Sequence, residues 1–198
     1  MENLQQSIVP ALKDLSEDKN WRIKLSVVEQ YPALAQQLGE QFFTDKLIAI
    51  CLSWLNDSVY SIRIAAIENF RELTKIFGSN WCERHVLKKM LDLRLETNYL
   101  HRLTACFGIA ELSEVVNTQL IKKSFIPVLQ QMAKDKIPNI RMNVAKAMIK
   151  MRKKIYSSPI TAAEQQLDQD LVQILNDLKQ DEDDDVKYFS RKAFTDIG

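Results

Sequence analysis

The chain has 198 residues, 46% hydrophobic and 27% charged, with a formal net charge of +1. That composition excludes a disordered chain and gives no general pull toward nucleic acid. No run approaches the roughly 18 apolar residues of a membrane span, and Met1-Glu2-Asn3-Leu4-Gln5-Gln6 is not a basic, apolar signal stretch.

The first helix is expected from Ile8, Ala11, Leu12 and Leu15, which recur at helical spacing. Asp14 to Asn20 is polar and turns the chain. A second helix starts near Trp21, with Ile23, Val27, Val28, Tyr31 and Leu34 on one stripe and Gly39 as its stop. Pro32 is expected to bend this helix without ending it. The plan then repeats. Leu47, Ile50, Cys51 and Trp54 precede a turn at Asn56-Asp57-Ser58. Ile62, Ala66, Ile67, Phe70 and Leu73 follow, and Gly78 stands 39 residues after Gly39.

A third pair takes Val86, Met90 and Leu93, then His101, Ala105, Cys106, Ile109 and Leu112. A fourth takes Phe125, Val128, Leu129 and Met132, then Ile140, Val144, Ala145, Met148 and Met151. Pro127 matches Pro10 in register, and both are expected in a first helical turn, where no intrahelical N–H is needed. A fifth pair has Leu171, Ile174, Leu175 and Leu178, then Val186, Tyr188, Phe189 and Phe194, in a short last helix expected to fray.

Each turn inside a pair opens on an acid and closes six residues later on a base. The acids are Asp18, Asp57, Glu96, Asp135 and Asp181, and the bases are Lys24, Arg63, Arg102, Arg141 and Lys187, separated by 39, 39, 39 and 46 residues. Helix pairs at a period near 40 mark HEAT and armadillo solenoids. The expected fold is therefore all-α: a HEAT-repeat solenoid of five antiparallel helix pairs in a right-handed curved array. It would be one domain over 1–198, with repeats near 1–39, 40–78, 79–117, 118–155 and 163–198. The extra seven residues would form an irregular insertion near 156–162.

In such a stack equivalent positions of neighbouring repeats lie side by side. The expected result is a ladder of ion pairs, with Asp57 near Lys24 or Arg63 and Asp135 near Arg102 or Arg141. The same acids would also cap the second helices. Three residues before the base stand Trp21, Tyr60 and Tyr99, then Pro138 and Asp184. Aromatics beside arginine at a turn are the chemistry of a protein-binding hot spot; alternatively each ring caps its own core. Arg22 and Asn98 strengthen the binding reading.

Catalysis is not expected. His85 and His101 have no nucleophile in a recognisable motif, and neither a P-loop nor a dinucleotide fingerprint is present. Asp183-Asp184-Asp185 continues a charge run and lacks the ligand pattern of a calcium loop. Cys51, Cys82 and Cys106 are odd in number and widely spaced, which suggests free thiols in a reducing compartment and no zinc site. No cofactor or metal is expected, nor any nucleic-acid or membrane partner. The expected location is cytoplasmic, with nuclear presence also compatible.

The segments Asn20-Trp21-Arg22-Ile23-Lys24, Gln36-Gln37-Leu38-Gly39, Trp54-Leu55, Val59-Tyr60-Ser61-Ile62-Arg63, Asn98-Tyr99-Leu100-His101-Arg102, Asn143-Val144-Ala145-Lys146 and Asp185-Val186-Lys187-Tyr188-Phe189 carry a likeness. In order, they resemble the carboxyl-terminal HEAT repeats of the 65 kDa scaffold family of protein phosphatase 2A. The resemblance implies a non-catalytic scaffold whose intra-repeat turns hold the phosphatase catalytic subunit. It implies contacts from Trp21, Arg22, Tyr60, Tyr99, Arg102, Ile137, Asn139, Arg141 and Lys187. A regulatory B-type subunit would be held only through amino-terminal repeats that this chain lacks, as in a fragment or an incomplete gene product. A general adaptor, such as a nuclear-transport-type solenoid, is the alternative. The first repeat is expected to self-associate through Leu4, Ile8 and Val9.

Overall fold

Residues 2–157 and 159–196, with side chains from residue 9, are described by a computed structural model. Every regular element among them is helical, and none is long and apolar enough to cross a membrane. The chain forms two compact units, Met1–Met90 and Leu91–Gly198.

In the first unit, α1 (Glu2–Ser16) is followed by α2 (Trp21–Val28), α3 (Tyr31–Leu38), α4 (Glu40–Lys46), α5 (Ile48–Trp54), α6 (Tyr60–Phe77) and α7 (Ser79–Cys82). Gly39 and Gly78 end α3 and α6 with φ of 81° and 89°. Glycine adopts this left-handed region without a Cβ penalty, which is why the chain can stop one helix and start the next there.

Pro32 does more than bend its helix. It splits the expected second helix into α2 and α3, taking the first turn of α3. Proline has no N–H, so the carbonyl four residues earlier, on Val28, loses its helical donor. Asn69 of α6 replaces it, donating Nδ2 to Val28 O at 2.6 Å from a 4% exposed side chain. A buried carbonyl left unpaired would be costly, so this one bond permits the break. Around it the core is aromatic. Tyr31 meets Trp54 and Phe43 edge-on at 4.7 and 6.2 Å, and Phe77 joins Phe43 to Trp81. Trp81 Nε1 donates to Thr44 Oγ1 at 2.9 Å, which lets the whole indole be buried.

The next run carries a wide π-type turn at Glu83–Leu87 and then α8 (Lys88–Asp92). In the second unit, a 3-10 turn at Leu93–Leu95 leads to α9 (Tyr99–Ser113). Then come α10 (Thr118–Leu120), a second π-type turn at Ile121–Phe125, α11 (Ile126–Met132), α12 (Pro138–Ile155), α13 (Ala162–Leu178) and α14 (Asp184–Thr195). Helix α12 is central to this unit and packs on α9, α11, α13 and α14. The last helix has twelve residues and is closed at its start by Asp183.

The two matching prolines differ in setting. Pro10 lies inside α1, past its first turn. Pro127 does take the first turn of α11, but that helix runs on directly from the wide turn at 121–125. Both rings face solvent. At Pro127 the widened turn relieves the clash with the preceding carbonyl that a regular helix would impose.

The extra residues form the loop at 156–161 and lengthen α13. Thr161 caps that helix in a reciprocal box with Glu164. Arg152 anchors the region. Its Nε and Nη2 meet Asp168 at 2.6 and 3.1 Å, its Nη1 donates to Ala193 O, and Phe194 lies against its guanidinium. Tyr156 donates to the same aspartate at 2.8 Å.

Most expected stripe residues are buried, including Ile62, Ile67, Phe70, Ile109, Val144 and Val186. Three are not: Leu15, Ile23 and Tyr188 are 43%, 41% and 57% exposed. Ile23 holds the repeat position of Ile62 and Ile140, but its helix packs chiefly on α1 and α6 and leaves that face open. Tyr188 points outward, with its ring edge on Phe189 and Lys192 near its face. The side chains of Leu4 and Ile8, expected on the first apolar face, lie outside the described residues; Val9 is half-buried.

Candidate interface at the intra-pair turns

The turn acids do two jobs with two oxygens. Asp57 Oδ1 accepts the N–H of Val59, two residues on, at 2.8 Å, while Oδ2 accepts Lys24 Nζ from the preceding pair at 2.9 Å. Asp135 Oδ1 accepts the N–H of Ile137, and Arg102 grips both carboxylate oxygens at 2.7 and 3.1 Å. Asp181 Oδ1 accepts the N–H of Asp183, and Arg141 grips both oxygens at 2.7 Å. Asp18 closes its own turn onto Asn20 N–H at 2.7 Å.

These acids brace the turn without capping the helix, because their bonds fall on the residue before it begins. Capping belongs to Asn20, Asn98 and Asp183, which accept from the first free N–H groups of α2, α9 and α14.

The bases are equally committed. Arg63 Nη1 donates to the carbonyls of Asp57 and Ser58 in its own turn. Arg102 Nη1 does the same to Glu96 and Thr97, and Arg141 Nη1 to Asp135. Each arginine thus clamps its own turn with one edge; Arg102 and Arg141 hold the next acid with the other. The pairs Lys24–Asp57 and Arg102–Asp135 span 33 residues and Arg141–Asp181 spans 40, so the inserted residues leave the last rung intact.

The surroundings shift the carboxylates. The Arg141 hydrogen bonds hold Asp181 below the usual carboxylate range, against the effect of burial. At Asp135 burial is the larger single influence and acts upward, but Arg102 and the Ile137 N–H together bring the carboxyl below that range.

The expected contact residues divide into two groups. Arg102 and Arg141 are each only 7% exposed, with their guanidinium groups saturated within the chain. Lys187 is paired with Asp184 at 2.6 Å in its own helix start. By contrast, Tyr60 and Tyr99 are 57% and 42% exposed. Trp21 is half-buried beneath the Arg22 guanidinium, 4.6 Å from its ring centre. Ile137 is half-buried, and Asn139 is exposed while accepting from Asn143.

Two further residues belong with the open group. Leu95 and Leu100 are 62% and 37% exposed on either side of the third turn, close in sequence to Tyr99. Leu95 falls out of phase with the Val86, Met90 and Leu93 stripe, and that phase slip was the available signal.

The three thiols are all free and buried. Burial pushes Cys82 up to about 11 and Cys106 to about 12, and raises Cys51 well above its ordinary value. No group of three or more His, Cys, Asp or Glu among the described residues could hold a metal ion.

The HEAT repeat family model matches residues 47–77. The regulatory scaffold protein of phosphatase PP2A, the A-type, from Saccharomyces cerevisiae is 39% identical over 125 residues, covering 62% of this chain and 20% of that protein. Its namesake in Schizosaccharomyces pombe is 45% identical over 62 residues, 31% of this chain and 10% of that protein. The chain therefore spans a fifth or less of these relatives. Among solved structures, the MAST/Orbit N-terminal domain aligns with a TM-score of 0.60 at 21% identity, covering 94% of this chain and 81% of that one. The structure titled for Kap95p binding to RanGDP aligns at 0.63 and 16% identity, covering 98% and 24%. At such identities the alignments speak for fold alone. The chain is an all-α solenoid of stacked helix pairs of the HEAT/armadillo kind, related over part of its length to the A-type regulatory proteins of PP2A.

Proposed function

We propose that this chain is a non-catalytic protein-binding scaffold whose intra-pair turns meet the partner. The observation that carries this is the division of labour at those turns. The charged side chains hold the stack in register, while Tyr60 and Tyr99, together with Leu95 and Leu100, stand out of the core. Rigid exposed aromatics bury large area on binding at little entropic cost, and the ion pairs beneath fix their spacing in advance.

The finer reading is that the partner is the catalytic subunit of a PP2A-type phosphatase. The sequence likeness to the A-type regulatory proteins of PP2A supports it. Binding of that catalytic subunit would use the part of the scaffold represented here, and any metal needed for phosphate hydrolysis would belong to the partner. The broader reading, a HEAT adaptor for other proteins, draws on the fold shared with unrelated solenoids.

A pull-down of purified chain with isolated phosphatase catalytic subunit separates the two. Capture that is lost in Tyr60→Ala supports the phosphatase reading. A folded chain that fails to capture the phosphatase removes that reading and leaves the general adaptor.

A further inference from the structure

The Arg141–Asp181 pair sets the beginnings of α12 and α14 beside one another, and an open cleft of about 470 Å³ lies between them. One wall is Ile137, Pro138, Asn139 and Met142; the other carries Asp183 and Asp185. We infer that this cleft receives an arginine side chain of the partner protein, its stem over Pro138 and Met142 and its guanidinium at Asp183 and Asp185.

The charge balance argues for it. Residues 181–187 hold five carboxylates and one lysine. Asp181 is occupied by Arg141, Glu182 reaches the same guanidinium at 3.5 Å, and Asp184 is paired with Lys187. Asp183 and Asp185 have no ion-pair partner among the described residues. Asp183 spends Oδ1 on the N–H groups of Asp185 and Val186, which leaves Oδ2 for a donor. The two unpaired carboxylates face an apolar wall. Arginine matches that combination better than lysine, because its guanidinium is weakly hydrated and its donors fit two carboxylates while its stem covers apolar surface. A purely apolar occupant would bury the aspartates unpaired.

This inference rests on the turns being the partner surface, and its test separates the two claims. The full chain, labelled for amide NMR, is titrated with the blocked pentapeptide Ala-Leu-Arg-Leu-Ala and with the same peptide carrying citrulline, a neutral isostere of arginine. The expected result is shifts confined to residues 137–142 and 183–186, weaker by about fivefold or more with citrulline, with Asp185→Lys and in high salt. Equal binding of the citrulline peptide, or shifts scattered elsewhere, overturns the cleft assignment. Affinity for the phosphatase catalytic subunit is measured in parallel with Asp185→Lys and Tyr60→Ala. Loss in Tyr60→Ala with no change in Asp185→Lys sinks the arginine cleft and keeps the scaffold. Peptide binding at the cleft without phosphatase binding does the reverse for the phosphatase reading.

Discussion

Arg141 holds Asp181, forty residues further along the chain, through Nε and Nη2 at 2.7 Å each, while its Nη1 clamps the carbonyl of Asp135 behind it. One side chain thus ties two turns together. Removing either partner strands a buried charge, which costs roughly 3–5 kcal/mol, whereas replacing both with apolar groups is often close to neutral. Arg141→Met and Asp181→Leu should each lower the urea midpoint strongly, and the double variant should lose much less than their sum. Strict additivity would show that the two act independently.

Acid should loosen the same rungs. Asp135 and Asp181 both have carboxyls depressed in the folded chain. A depressed carboxylate contributes stability above its unfolded value, near pH 4, and loses it as pH falls through the folded value. Stability should therefore decline below about pH 4. Asp135→Asn combined with Asp181→Asn should be less stable at pH 7 and show a shallower acid decline. An unchanged decline would place the acid sensitivity elsewhere.

Asn69 and Pro32 form a second testable pair. Asn69→Leu leaves Val28 O without its donor and should cost about 1–3 kcal/mol. Adding Pro32→Ala should restore part of the loss, because residue 32 then has an N–H able to reach that carbonyl. If the alanine gives no recovery in the leucine background, the carbonyl is not what Asn69 serves.

The period of the turn acids and bases is set by covalent spacing, so the helix pairs and their partners Lys24–Asp57 and Arg102–Asp135 can be read from sequence. The break at Pro32 cannot. It depends on a donor that reaches over from α6, and local pattern says only that a proline bends a helix. The bracing role of Asp57 and Asp135 was also hidden, since a one-residue difference in helix start separates a cap from a turn bond. At the candidate site, residue type found Tyr60 and Tyr99. It did not separate them from Arg102 and Arg141, whose saturation depends on packing between pairs. Leu100 escaped for the same reason.

The thiols give an independent check of packing. With Cys51, Cys82 and Cys106 buried and their ionisation suppressed, a thiol reagent at pH 8 should label the folded chain slowly and all three sites after denaturation. Fast labelling of the native chain would show that the helix pairs open readily.

The central claim is that the exposed aromatics at the turns bind the partner while the charged rungs beneath hold the stack. Isothermal titration of the phosphatase catalytic subunit into wild type and Tyr60→Ala, with thermal unfolding of both, tests it directly. The account predicts a loss of at least about tenfold in affinity, as for a hot-spot aromatic, with a midpoint within a few degrees of wild type. Unchanged affinity, or a collapse in stability that accounts for the loss, would contradict it.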